Sequence, residues 1–214
     1  MVDVDGVLVC GRPDDGRHWA STIEADLGLS YAALHDAFFE RHWNEVVTGR
    51  SGLHHQLTAA LAGIAPAVTT KQLVEYWFRH DSCLNRPLLD DLAVLRGGGF
   101  RCFLATNQEH ERTRYLMDEL GLAAHVDGCI YSAAIGHRKP ARAFFDTAAA
   151  RVGQPAEQLL LIDDLAENVR GAIDAGWRAA LWTGHQRLGD LLDQIAISRS
   201  RSSLLSRSSA AGPE

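Results

Sequence analysis

Short apolar runs alternate with amphipathic stretches over the part of the chain that follows residue 86. Such alternation is typical of βα units, whose strands pair in a parallel sheet covered by helices. One further apolar run opens the chain. The predicted strands are Met1 to Val4, Phe100 to Ala105, Cys129 to Ser132, Leu159 to Asp163 and Ala179 to Trp182. The pattern therefore predicts an α/β fold with a Rossmann-like, three-layer core around a parallel sheet.

Three amphipathic stretches between these strands predict helices, and a glycine follows each of them. Glycine just past a helix end readily takes the left-handed conformation that stops the helix. The helices are Glu109 to Leu120 before Gly121, Ala141 to Val152 before Gly153, and Leu165 to Ala175 before Gly176. In the last of them the spacing puts Val169, Ala172 and Ile173 on one face, which we expect to lie on the sheet.

Residues 14–84 differ from the rest because they show helical periodicity and several aromatic residues but no convincing strand. They predict a small helical cap, inserted into the α/β core and overhanging the mouth of the sheet. The predicted division is a core of residues 1–13 and 85–197, a cap of residues 14–84 and a tail of residues 198–214. The tail is rich in serine and arginine without an apolar period, so we expect it to be disordered.

Composition narrows the class of protein. The chain has 214 residues, of which 46% are hydrophobic and 22% charged, as is ordinary for a globular protein. It contains no export signal and no apolar run near the roughly 20 residues that cross a bilayer, so we expect a cytoplasmic protein without a membrane partner. The net charge of -6 disfavours nucleic acid. The four cysteines lack the spacing of a zinc site and are expected to be buried free thiols.

Four acidic residues stand at the ends of two predicted strands. Asp3 and Asp5 lie at the end of the first strand, and Asp163 and Asp164 lie at the end of the fourth. In an α/β fold, ligands bind at the carboxyl ends of the parallel strands, so we expect these carboxylates to meet there. Carboxylate oxygens are the hard ligands that Mg2+ prefers. The sequence thus predicts a magnesium site built from all four residues.

Asp3 and Asp5 have the spacing of a nucleophile and a proton carrier. Because side chains alternate along a strand, the single residue between them puts both carboxylates on one side. Beside a metal ion, Asp3 could attack phosphorus and form an acyl-phosphate, which splits hydrolysis into two easier steps. Asp5 could protonate the leaving oxygen and later deprotonate the attacking water.

Three further residue groups complete the predicted site. Thr106 and Asn107 follow an apolar strand and precede a helix, where an anion is favoured. Lys139, just before a proline, could neutralise phosphate charge and hold the nucleophile ionised. Asn168 lies one turn into the last predicted helix and could orient the metal ligands.

Taken together, these segments resemble the haloacid dehalogenase superfamily in kind and in order. They read DVDGV from residue 3, ATN from residue 105, RKP from residue 138 and LLLIDDLAEN from residue 159. The resemblance implies that Asp3 is the nucleophile and that Asp5 is the acid/base, whose backbone carbonyl also binds magnesium. Dehalogenases of the superfamily lack the second aspartate of the first motif, so Asp5 implies phosphoryl transfer.

The resemblance also assigns roles to the later motifs. It implies that Thr106 and Asn107 hold the phosphate and that Lys139 stabilises its charge. Asp163 and Asp164 are implied to be the metal carboxylates. Residues 14–84 match the helical cap of the family in size and helical character alone.

These observations predict a Mg2+-dependent phosphatase that hydrolyses a small, sugar-phosphate-like metabolite through an aspartyl-phosphate. Two alternatives stay open: a phosphomutase of the same fold, and a catalytically weak protein that binds phosphorylated ligands or a protein partner. In the cap, Trp43, Asn44 and Arg50 are the predicted substrate contacts, because they precede or enter a glycine-containing loop that could face the site. The sequence sets neither the identity of the substrate nor the oligomeric state.

Two features depart from the family pattern. Only Met1 and Val2 precede Asp3, whereas a buried strand normally has about five or six residues. We therefore expect the native start to lie upstream of Met1. Ala141 and Arg142 stand where an acidic or serine residue followed by proline is usual, and this should affect only the helix start.

Overall fold

Within residues 1–184 and 187–193, which this computed structural model describes, four short parallel strands and the N-terminus form the sheet. The strands are β1 (Phe103–Thr106), β2 (Gly128–Tyr131), β3 (Leu160–Asp163) and β4 (Arg178–Leu181). β1 pairs with β2, and β3 pairs with β4. The predicted disordered tail lies outside the described residues, as do residues 194–197 of the predicted core.

The N-terminus lies between the two strand pairs. Val2 forms parallel bridges to Leu104 of β1 and to Ile162 of β3. The amide of Val2 donates to the Phe103 carbonyl and the amide of Asp3 donates to the Ile162 carbonyl, both over 2.9 Å. The predicted first strand is therefore central in the sheet, although its pairing is confined to these few residues.

The helices of the described chain fall into an inserted group and a group that follows the strands. The inserted group is α1 (Ile23–Leu27), α2 (Tyr31–Leu34), α3 (Glu40–Val47), α4 (Leu53–Ile64) and α5 (Thr70–His80). The others are α6 (Arg86–Gly97), α7 (His110–Arg114), α8 (Ser132–Ile135), α9 (Arg142–Val152) and α10 (Ala166–Asp174). Residues 188–193 are also helical. π-helical turns, His35–Phe39 and Tyr115–Glu119, continue α2 and α7, and 3-10 turns lie at Leu122–Ala124 and Ala156–Gln158.

The sheet is buried on both faces. Val2, Leu104 and Ile162 belong to one apolar cluster, which includes leucines of α6. Their neighbours along the strands, such as Ala105 and Leu161, belong to a second cluster with the inner faces of α9 and α10. Alternate side chains of a strand point to opposite faces, so each strand contributes to both clusters. The predicted α/β class with a layer of helices on each side of a parallel sheet is confirmed.

The predicted inner face of α10 was partly wrong. Ala172 is fully buried, but Ile173 is 54% exposed. The residue that shares the inner face with Ala172 is the polar Asn168, which is buried because its amide donates to Asp163. A hydrogen-bonded polar side chain can take an inner position that apolar periodicity alone would not assign to it.

The inserted helices have an apolar cluster of their own. It contains Trp19, Phe38, Leu57 and Trp77, and the rings of Trp19 and Trp77 stack with centroids 5.3 Å apart. The two connections to the rest of the chain run side by side, because the amide of Cys10 donates to the Cys83 carbonyl over 2.9 Å. The helical character of the segment is as predicted, whereas its status as a separate domain stays a prediction.

The described cysteines form no disulfide. All four are free, as predicted, but they are not all buried: Cys102 is buried, whereas Cys10 is exposed. In the described part of the chain, no helix is both long and apolar enough to traverse a bilayer.

Two glycine-to-alanine substitutions should have opposite effects on stability. A Cβ at Gly171 in α10 would lie 2.5 Å from the carbonyl oxygen of Pro140, so backbone must move. Overpacking of this kind costs about 1–3 kcal/mol. A Cβ at Gly63 in α4 would meet nothing within 4 Å, and alanine there should add about 0.5–1 kcal/mol through helix propensity. Urea unfolding of both variants checks the pair, and a Gly171→Ala protein as stable as the wild type would contradict the contact.

Candidate active site

Three carboxylates and one lysine converge where the N-terminus and β3 end. Side-chain oxygens of Asp3, Asp163 and Asp164 all lie within 4.8 Å of one another. The Lys139 ammonium lies 3.0 Å from Asp3 Oδ1 and 2.5 Å from Asp163 Oδ2. Lys139, Asp163 and Asp3 are all buried. The structure thus brings together acids that are about 160 positions apart in the sequence.

Asp163 is held by several donors at once. Its Oδ1 accepts from the Leu165 amide and from the Asn168 side chain, both over 3.0 Å, while its Oδ2 accepts from Lys139. Asp163 therefore links the end of β3 to the first turn of α10 and to the lysine. Asn168 contacts a carboxylate of the site, and the orienting task predicted for it stays a prediction.

Asp164 lies against the first motif. A Cβ placed on Gly6 would come within 2.2 Å of Asp164 Oδ2, and Gly6 has a φ of +77°. The left-handed backbone favours glycine at this position, and an added Cβ would displace the Asp164 carboxylate. The turn after Asp5 consequently allows a carboxylate from the other end of the chain to come beside Asp3.

Burial and mutual repulsion govern the protonation of these acids. Burial raises the pKa of Asp3 to about 7, Lys139 opposes this shift and Asp163 adds to it. Burial, followed by the charge of Asp163, also raises the pKa of Asp164. One lysine does not balance three crowded carboxylates. A hard cation bound among Asp3, Asp163 and Asp164 would relieve the repulsion, so the donor set fits Mg2+.

Lys139 is positioned through its backbone by Asn107. The Lys139 amide donates to Asn107 Oδ1 over 2.8 Å, and Asn107 Nδ2 donates to the Lys139 carbonyl over 3.0 Å. Asn107 was predicted to hold phosphate, but its side chain is engaged with Lys139, so a direct phosphate contact would fall to its backbone amide. Thr106 ends β1 and is buried next to it.

Asp5 lies at the opening of the site, with half of its side chain (51%) exposed. Gln108 Nε2 donates to Asp5 Oδ2 over 2.5 Å, and Arg112 Nη2 lies 3.9 Å from Asp5 Oδ1. Desolvation raises the pKa of Asp5, whereas Arg112 and then Gln108 oppose the shift. The two oxygens of this carboxylate therefore have separate neighbours.

Sequence reasoning missed Gln108 and Arg112. Both are buried polar residues, with Gln108 just before α7 and Arg112 within it. Their position directly after the Thr106–Asn107 segment was an available signal. No local pattern, however, shows that their side chains reach Asp5.

The predicted cap contacts have different surroundings. Trp43 packs on aromatic rings of the inserted helices, with its centroid 5.6 Å from that of Phe39. Asn44 and Arg50 are exposed, and within the described residues their side chains form no hydrogen bond or ion pair with the core carboxylates. The end of α3, three residues before Arg50, does touch the core, because Ser132 Oγ donates to the Val47 carbonyl over 2.5 Å. A substrate role for these residues stays a prediction.

The fold and the acidic site are those of a hydrolase family. A family model described as haloacid dehalogenase-like hydrolase matches residues 1–176. The chain therefore belongs to the haloacid dehalogenase-like hydrolase family, as the four motifs predicted. No curated protein sequence matches the chain.

Solved structures of similar fold cover almost the whole chain. The HAD family enzyme bt-2542 from Bacteroides thetaiotaomicron, in complex with magnesium and inorganic phosphate, superposes with a TM-score of 0.74 at 15% identity, over 89% of this chain and 96% of that one. A predicted HAD-like family hydrolase from Porphyromonas gingivalis gives 0.71 at 20% identity, over 91% and 95%. At these identities the likeness shows the fold alone.

Proposed function

We propose that this protein is a Mg2+-dependent phosphatase that hydrolyses a small phosphorylated metabolite through an aspartyl-phosphate on Asp3. The observation that carries the proposal is the buried Lys139 ammonium, which lies 3.0 Å from Asp3 and 2.5 Å from Asp163, with Asp164 beside them. A lysine in this place keeps a buried carboxylate ionised and able to attack. The magnesium and phosphate bound in the bt-2542 enzyme support the same chemistry.

The first half of the reaction transfers the phosphoryl group to Asp3. The Val4 amide and Lys139 both bind Asp3 Oδ1, at 2.8 and 3.0 Å, so we assign Oδ2 as the attacking oxygen. The bond from Oδ2 to phosphorus forms as the ester P–O bond breaks, and Asp5 gives its proton to the leaving oxygen. Bound Mg2+ would supply positive charge at the transferring group.

The second half restores the enzyme. Asp5, now ionised, takes a proton from a water molecule as the water oxygen attacks phosphorus. The Asp3 Oδ2–phosphorus bond breaks, which releases inorganic phosphate and returns the Asp3 carboxylate to Lys139. Thr106 and the backbone amides that follow it lie at the end of β1, where they can bind the phosphate oxygens.

A panel of phosphate esters tests this function. We expect release of inorganic phosphate from at least one sugar phosphate or related small ester in the presence of Mg2+, and none after the metal is chelated. A mutase would instead convert a sugar monophosphate into an isomer without net phosphate release. Absence of phosphate release across the panel with Mg2+ present would refute the phosphatase assignment.

Magnesium should also stabilise the folded protein, which gives a measurement independent of turnover. A ligand that binds only the folded state at about 100 times its dissociation constant adds about 2.7 kcal/mol. We expect the thermal midpoint to rise on addition of Mg2+ and this rise to be lost in Asp164→Asn. A midpoint in the wild-type protein that does not respond to Mg2+ would contradict the metal site.

The stabilisation by Mg2+ should depend on pH because the pKa of Asp3 differs between the folded and unfolded states. Its folded-state pKa is raised from 3.8 to about 7, so between these values the folded state holds the proton more tightly. Without metal, this group therefore lowers stability as pH rises from about 4 to about 7. Because Mg2+ binds ionised carboxylates, the shift in thermal midpoint should be larger at about pH 8 than at about pH 5.

A further inference from the structure

Arg112 is a buried arginine between the opening of the site and the inserted helices. It comes from α7, and its side chain is 1% exposed. Its Nη1 donates to the Phe78 carbonyl over 3.3 Å, and its Nη2 donates to the Asp81 carbonyl. Its guanidinium also lies 5.3 Å from the ring of Phe78. The side chain therefore fixes the end of α5, where the inserted segment returns to the core.

A single nitrogen of Arg112 faces two carboxylates. Nη2 lies 3.3 Å from Asp81 Oδ2 and 3.9 Å from Asp5 Oδ1. Burial raises the pKa of Asp81 to about 6, with the charge of Asp5 adding to the shift and Arg112 opposing it. Without the guanidinium, two acids would repel each other at this place. Arginine suits it because the planar fork reaches several acceptors at once, whereas lysine is a point charge.

The opposite oxygen of Asp5 has its own neighbour. Gln108 donates to Asp5 Oδ2, and Gln108 itself is buried and held in the core, because its backbone carbonyl accepts from the Ala133 amide over 3.1 Å. Gln108 and Arg112 thus approach Asp5 from the same segment, one at each oxygen. Of the two, Arg112 is the residue that also binds the connection at Asp81.

We propose that Arg112 is a positioning residue that fixes the carboxylate of Asp5 for proton transfer and couples it to the Asp81 connection of the inserted helices. This inference rests on the proposed function, in which Asp5 protonates the leaving group. Arg112 itself contacts neither the attacking oxygen of Asp3 nor any group assigned to phosphate. Its effect on the rate is therefore confined to steps that need Asp5.

The test compares two leaving groups. An alkyl phosphate needs a proton on its leaving oxygen, whereas p-nitrophenyl phosphate releases a stable anion that needs none. The value of kcat/KM reports steps up to transfer onto Asp3, before Asp5 acts as a base. In Arg112→Lys we expect kcat/KM for the alkyl ester to fall about 10-fold or more, and that for p-nitrophenyl phosphate to stay within about threefold of wild type.

The ratio of the two kcat/KM values is the decisive quantity. Both are measured on the same preparation, so a reduced folded fraction lowers them equally and leaves the ratio unchanged. Arg112→Met removes the charge as well as the planar fork. It should lower kcat/KM for the alkyl ester still further relative to that for p-nitrophenyl phosphate. The matched control is Arg114→Lys on the same helix, whose side chain is 62% exposed and pairs with Glu119; its ratio should equal that of wild type.

Asp5→Asn separates failure of this inference from failure of the proposed function. If Asp5→Asn shows strong selectivity against the alkyl ester and Arg112→Lys keeps the wild-type ratio, Arg112 is merely structural and the inference is wrong. If Asp5→Asn lowers kcat/KM equally for both substrates, Asp5 is not the proton donor, and the premise of this inference is wrong. If the wild type turns over no ester of the panel, p-nitrophenyl phosphate included, the proposed function itself is wrong.

Discussion

Replacement of Asp3 by asparagine is expected to lower phosphate release by about 10³-fold or more, because an amide cannot form the acyl-phosphate on which the proposed reaction depends. The fold should survive. Asparagine has nearly the same shape, and burial raises the pKa of Asp3 to about 7 against the opposing charge of Lys139, so loss of the charged carboxylate should cost the metal-free fold little. The variant should therefore unfold no earlier than the metal-free wild type.

Phosphate release and the thermal midpoint are measured together on this variant. The control is Asp118→Asn, an exposed acid outside the candidate site, which should match the wild type in both. Unchanged turnover in Asp3→Asn would show that the activity does not arise at this site. A large fall in midpoint would show instead that the loss of turnover has a structural cause.

Replacement of Lys139 by methionine is expected to cost about 3–5 kcal/mol of unfolding free energy, the usual effect of leaving a buried charge without its partner. Lys139 lies between Asp3 and Asp163, and all three side chains are buried. The lysine opposes the rise in the pKa of Asp3, so its loss raises this pKa further. Below the raised pKa the carboxylate is protonated and the repulsion is weaker.

The destabilisation in Lys139→Met should consequently be larger at about pH 8 than at about pH 5. Urea unfolding of metal-free protein at both pH values measures it. The chain offers a matched control in its other lysine, Lys71, which pairs at 3.7 Å with Glu75 on the surface. Surface pairs contribute about 0–1 kcal/mol, so Lys71→Met should be nearly neutral. Equal effects of the two substitutions would contradict the buried pair.

Elements with local signals were predicted closely. The ends of α9 and α10 fall within one residue of prediction, because Gly153 and Gly176 have φ values of +66° and +86°, which only glycine adopts readily. The predicted strand from Phe100 begins later, at Phe103. Phe100 is exposed and its amide caps the preceding helix at Leu95, so an apolar residue there extends the run without joining the sheet.

Some residues of the candidate site likewise had local sequence signals, and others had none. Asp3, Asp163, Asp164 and Lys139 were predicted from motifs in which each residue lies next to a strand or helix end, and the structure brings them together. The hydrogen bond from Gln108 to Asp5 spans 103 positions, and nothing near either residue indicates it. Likewise, nothing near Asn107 in the sequence indicates that its side chain accepts a hydrogen bond from the Lys139 amide.

By itself, then, the sequence determined the α/β class, the family and the acids at the strand ends, since strand period, glycine stops and contiguous motifs depend on residues close together in the chain. The tertiary structure alone decided which oxygens Lys139 binds, that Asn168 rather than Ile173 faces inward, and that Arg112 lies between Asp5 and Asp81. These choices depend on burial and on hydrogen-bond partners that only the folded chain brings within reach.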